Sequence, residues 1–195
     1  MPRTEQQFEE MRASRQEMIM KVAMDLFSEE GFYPVSISRI AEKAGISKGL
    51  MYNYFKSKDE LLKAIVYKGL KELSDNFDPN HDGILEHHEL INFINSSCTM
   101  IKENIQFWKL YFSIVLQPSV FKLVGKDLVT LFHGMQEMLK AYFKRQGYDD
   151  PETETYLLLG VIDGIGYHYI SDPENYPLTK VKDKLLEKYE KLRSI

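Results

Sequence analysis

Lys48, Gly49, Leu50, Tyr52 and Asn53 stand close together and carry groups that recognise nucleic acid. Asparagine pairs bidentately with adenine, lysine donates to guanine, and glycine lets backbone approach a base edge. Leu50 cannot hydrogen-bond but suits a thymine methyl. Tyr52 and Lys58 are suited to phosphate. Upstream, Ser36 and Ser38 sit where a short helix should begin, and unpaired N–H groups there favour an anion. Arg39 adds a cation beside them.

A second set lies at residues 78–89, Asp-Pro-Asn-His-Asp-Gly-Ile-Leu-Glu-His-His-Glu. It satisfies the calcium-loop pattern D-x-[DN]-x-[DN]-G-x5-E. Asp78, Asn80 and Asp82 supply side-chain oxygens, Gly83 permits the sharp turn, Ile84 offers its carbonyl and Glu89 a bidentate carboxylate. Ca2+ is the ion expected, in a structural role, and no other cofactor is required. The same letters also make an ordinary turn, and no second loop of this kind exists to pair with it. No His-carboxylate motif, nucleophile elbow or phosphate loop appears, so the chain reads as no enzyme.

The elements that must position these residues read as helices throughout. A first helix starts at Thr4 or Ala13 and stops at Gly31. Ser36 caps a second helix, Gly45 supplies a turn, and Ser47 caps a third over Lys48–Phe55. Two short helices about such a turn make a helix-turn-helix. Ile37, Ile40, Ala41, Ala44, Ile46, Met51 and Phe55 fill a miniature core with Val22, Leu26 and Phe27. Ser57 caps a fourth helix, to about Phe77. Further helices run from about Glu86 to Glu103, from Pro118 to near Gly147, from Pro151 to about Ile170, and onward from Pro177. The pattern changes near residue 58, which divides the chain into 1–58 and 59–195.

The 195 residues carry a net charge of −4, yet Val35–Lys58 holds Arg39, Lys43, Lys48, Lys56 and Lys58 against Glu42 alone. One basic face on an acidic body suits a protein that offers phosphate a single surface. No apolar run is long enough to span a membrane, the N-terminus is no signal peptide, and Cys98 is the only cysteine. A cytoplasmic protein with no membrane partner is expected.

The stretch Ser36-Ile37-x-x-Ile40-Ala41-x-x-Ala44-Gly45-Ile46-Ser47-x-Gly49-x-x-Tyr52-x-Tyr54-Phe55-x-Ser57-Lys58-x-x-Leu61 resembles the N-terminal domain of TetR-family transcriptional regulators, over roughly residues 14–65. The resemblance implies an all-α chain with a three-helix, helix-turn-helix DNA-binding domain and a larger helical domain for ligand binding and dimerisation. It implies a homodimer on a palindromic double-stranded DNA operator, usually a repressor, released by a small-molecule effector. Tyr52 and Lys58 would hold phosphate, while Lys48, Gly49 and Asn53 face the bases. Leu50 departs from the family, which often has Thr or Ser there. The stripe Leu157-x-x-Gly160-x-x-x-Gly164-x-Gly166 and the last helix would form a four-helix dimer interface. The aromatic set before it would enclose an effector pocket, with Trp108, Tyr111, Phe112, Phe132, His133 and Gln136 as lining candidates and an apolar or aromatic ligand. The competing reading is a calcium-binding helical protein whose helix-turn-helix is non-functional; a steep salt dependence of DNA binding separates the two.

Overall fold

The computed structural model describes residues 5–190, and all regular structure among them is α-helical. Helix α1 (Glu5–Glu30) takes the longer of the two expected spans; Thr4 itself lies outside the described residues. Its buried face is Ile19, Ala23, Leu26 and Phe27, with Val22 only half-buried. Helix α2 (Ile37–Lys43) is capped by Ser36, whose Oγ accepts from Arg39 N at 3.2 Å. The turn then closes through Gly45 N on Glu42 O and Ile46 N on Ala41 O, both at 3.0 Å. Gly45 sits at φ +65, a backbone state that costs other residues about 1–2 kcal/mol.

Helix α3 is shorter than expected, Lys48–Tyr52 rather than Lys48–Phe55. Asn53 caps it, and the chain turns so that Phe55 enters the core at 2% exposure. Ser57 then opens α4 (Lys58–Phe77): its Oγ accepts from Glu60 N, while Lys56 N donates to Glu60 Oε2. This reciprocal pairing satisfies donors that a helix start leaves open.

The remaining helices are α5 (His87–Glu103), α6 (Ile105–Val115), α7 (Pro118–Arg145), α8 (Pro151–Ser171) and α9 (Leu178–Glu190). Helix α6 is an addition to the sequence reading, which ended one helix at Glu103 and resumed at Pro118. The chain forms two compact units. One takes in residues up to Lys68 with Lys109–Val124; the other holds Gly69–Trp108 and the chain from Gly125 onward. The division therefore falls inside α4, α6 and α7, whereas the change of pattern near residue 58 marks where α4 begins.

In the first unit α1 packs on α2 and α2 on α3. Ile40, Ala41, Met51 and Phe55 are buried with Leu26 and Phe27, while Ile37, Ala44 and Ile46 are half-buried. In the second unit α5 packs against α8 and α9, and α8 against α9. Phe77 meets Phe93 edge-on at 4.9 Å. Phe107 rests on Gly69 so closely that an added Cβ would lie 2.1 Å from its ring.

Candidate nucleic-acid interface

The turn at Gly45 and the two serine caps present one side of α3 outward. Met51 is fully buried, which turns its neighbours toward solvent: Lys48, Gly49 and Asn53 are exposed, Tyr52 is 46% exposed, and Leu50 is half-buried. Ser47 Oγ accepts from Leu50 N at 3.1 Å and fixes the helix start. The residues that sequence reasoning selected on α3 thus share one short exposed helix whose inner residue is locked. Their donors and apolar surface are those that read base edges and phosphates.

Other members of the set are placed differently. Ser36 and Ser38 are exposed at the start of α2, with Ser36 accepting its capping bond. Arg39 is exposed, but its Nη2 pairs with Glu30 Oε1 of α1 at 2.7 Å, so phosphate must compete with a carboxylate. The largest difference is Lys58. Its Nζ turns back into the first unit and donates to the carbonyls of Phe32, Tyr33 and Val35 at 2.8, 3.1 and 2.9 Å. The ammonium also lies 4.4 Å from the centroid of the Phe32 ring. Burial lowers its pKa from the ordinary lysine value, opposed by the Asp59 carboxylate. In this arrangement Lys58 does not offer its charge outward as a phosphate contact. Neither Glu30 as the partner of Arg39 nor the turn carbonyls as partners of Lys58 was visible in the sequence, because both are set by how α1 packs.

The effector candidates are not gathered by the same logic. Tyr111 and Phe112 belong to the first unit; Trp108, Phe132, His133 and Gln136 belong to the second. Trp108 is buried, Tyr111, Phe112, Phe132 and Gln136 are half-buried, and His133 is exposed. Tyr111 packs edge-on against Phe112 at 5.2 Å, and Phe107 against Trp108 at 5.5 Å.

The 78–89 loop turns as its residue types direct. Gly83 N donates to Asp78 Oδ2, Asp82 N to Asn80 Oδ1 and Ile84 N to Asp82 Oδ1. Gly83 sits at φ +74. The carboxylates do not converge: among the described residues no three His, Cys, Asp or Glu side chains are placed to hold a metal ion. Glu89, 2% exposed, instead accepts from Glu86 N through Oε2 at 2.8 Å and caps α5. Asp78 Oδ1 is buried without a partner.

A capped two-helix corner with an exposed polar reading helix is a helix-turn-helix, the build by which DNA-binding regulators place a short helix in the major groove. Residues 19–65 match the family described as "Bacterial regulatory proteins, tetR family". The match covers the helix-turn-helix together with the end of α1 and the start of α4. It is similar to the HTH-type transcriptional regulator HbdR of Aromatoleum sp. (strain CIB), 39% identical over 64 residues, covering 33% of this chain and 26% of HbdR. It is similar over more of its length to the HTH-type transcriptional regulator BetI of Vibrio campbellii, 25% identical over 193 residues, covering 92% of this chain and 96% of BetI. The match thus spans about a quarter of HbdR and nearly all of BetI. Among solved structures, NalD of Pseudomonas aeruginosa, the secondary repressor of the MexAB-OprM multidrug efflux pump, shares the fold with a TM-score of 0.69 at 16% identity, over 93% of this chain and 96% of that one. No described helix is long and apolar enough to cross a membrane.

Proposed function

We propose that this chain is a repressor that binds a palindromic DNA operator as a homodimer and leaves it when a small, largely apolar ligand binds. The observation that carries the DNA reading is the exposed row Lys48, Gly49, Tyr52 and Asn53 on a helix anchored by buried Met51. Lys48 and Asn53 meet base edges, Gly49 lets backbone come close, Leu50 meets a thymine methyl, and Tyr52 donates to phosphate. Ser36 and Ser38 supply hydroxyls at the start of α2, and Arg39 a charge shared with Glu30.

Two proposals complete this reading. The homodimer is supported by α8, where Tyr156, Leu157, Val161 and Tyr167 are 44–56% exposed on one helical stripe with Gly160 and Gly164 between them. A Cβ on either glycine would meet nothing within 4 Å. Contiguous exposed apolar surface of this kind marks an interaction face. The effector is supported by residues of the second unit alone, where Trp108 is buried and Phe132 half-buried as apolar groups and the half-buried Gln136 is a candidate polar anchor. His133, being exposed, serves this role least.

Selection of duplexes from a random library by the purified protein tests the DNA reading. Enriched sites should be palindromic, and affinity should fall with salt at a log–log slope of about −0.9 per phosphate contacted. Failure to enrich any sequence, together with a flat salt response, removes the proposal.

The same reading gives the 78–89 loop a second role, as a Ca2+ site. Asp78 Oδ1, buried and unpaired, is the observation that favours it. Binding requires Glu89 to release Glu86 N and join Asp78, Asn80, Asp82 and the Ile84 carbonyl.

A further inference from the structure

The reading module is the chain from Ser36 to Ser57, and one side chain stands at both of its ends. Val35 precedes Ser36, the cap of α2; Lys58 follows Ser57, the cap of α4. From its place at the start of α4, Lys58 reaches back to the turn that leads into α2. An ammonium has three N–H donors. Here three carbonyls, of Phe32, Tyr33 and Val35, lie 2.8, 3.1 and 2.9 Å from it. The turn itself is firmly seated, since Phe32 and Val35 are 5% and 1% exposed and Phe32 packs edge-on against Phe27 at 5.3 Å. The Phe32 ring adds a cation–π contact on one side of the nitrogen. With all three donors engaged and an aromatic face beside it, the nitrogen has little left to offer a phosphate.

We propose that Lys58 is a positioning residue, which clips the exit of the α2–α3 pair to its entrance and makes no phosphate contact. The proposal rests on the DNA-binding reading above. Closing a segment at its two ends removes the freedom it would otherwise have to swing. The clip therefore sets the angle at which α3 is presented, and it acts on binding only through that angle. Lys43, Lys48 and Lys56, all exposed within the same module, are the lysines left for phosphate or bases.

Acetic anhydride footprinting of the wild-type protein, free and bound to a random-sequence duplex, is the first test. Lys48 should be modified readily in the free protein and protected by the duplex, while Lys58 should keep the same slow rate in both states. Protection of Lys58 by the duplex would overturn the proposal. Absence of protection at Lys48 would instead remove the DNA reading, so the two failures are told apart by different residues.

Lys58→Met, which keeps the aliphatic stem against Phe32, supplies the second test. It should lower the duplex affinity of the folded protein about tenfold, on the scale of losing a few modest hydrogen bonds, with the salt slope unchanged. Amide exchange at 36–39 should speed up at temperatures where the helices remain intact. A slope lower by about one would mean a lost phosphate contact and would refute the clip. Unchanged exchange at 36–39, with only the melting temperature moved, would refute it too. If Lys58→Met does not fold, the wild-type footprint still decides.

Discussion

Tyr52 and Asn53 are adjacent at the end of α3, yet the proposed reading gives them different work. Tyr52 is 46% exposed and carries one hydroxyl, suited to a phosphate oxygen. Asn53 caps the helix through its backbone, so its side-chain amide stays available to a base. Removing the hydroxyl in Tyr52→Phe should weaken binding equally across duplex sequences. Asn53→Ala should cost about 1–3 kcal/mol on the preferred site and relax preference at one base position. Binding measured on the selected site and on single-base variants of it checks both; unchanged affinity and preference would show that this face of α3 does not meet DNA. Residue type gave this much. What it could not give was direction: Arg39 and Lys58 have the right charge, but Arg39 pairs with Glu30 and Lys58 with three carbonyls.

At the scale of elements, caps and turns were the most legible features, because each depends on a few adjacent residues. Ser36, Ser47 and Ser57 all cap as their position suggests, and Gly45 takes the left-handed conformation. The 78–89 loop is the instructive case. Its local hydrogen bonds agree with the calcium pattern, but the last carboxylate is drawn to an N-cap amide, a partner just as close in sequence. Calorimetry with calcium on a chelator-treated sample should give heat, lost in Glu89→Gln; no heat at millimolar calcium would leave the loop as a capped turn alone. Helix α6 was missed for a related reason: its aromatic residues read as one stripe with those beyond, and no cap or proline marks its start at Ile105.

For the molecule as a whole, charge and pattern are distributed unequally. The net charge is −4, while the reading module is basic, so association with DNA is directed to one end of the sequence. A single short reading helix gives modest affinity, and linking two of them raises it by making the second contact intramolecular. In the proposed homodimer the exposed stripe on α8 would provide the means. Leu157→Glu places a charge where the side chain is 52% exposed in the single chain, so folding should be preserved. Sedimentation should then shift from a two-chain to a one-chain mass, with a marked loss of affinity for a palindromic site. An unchanged mass would show that α8 is not the dimer face.

The sequence by itself determined the helical class, the helix-turn-helix with its caps and turn, and the residues of α3 that look outward. These follow from short-range physics: capping, backbone conformation at glycine, and the helical repeat of apolar side chains. Only the tertiary structure decided the rest. It placed the unit boundaries inside α4, α6 and α7, ended α3 at Tyr52, turned Lys58 inward and left the α8 stripe uncovered. Each of these depends on which distant segment packs beside the residue, and a long side chain such as lysine takes the partners that packing brings within its reach.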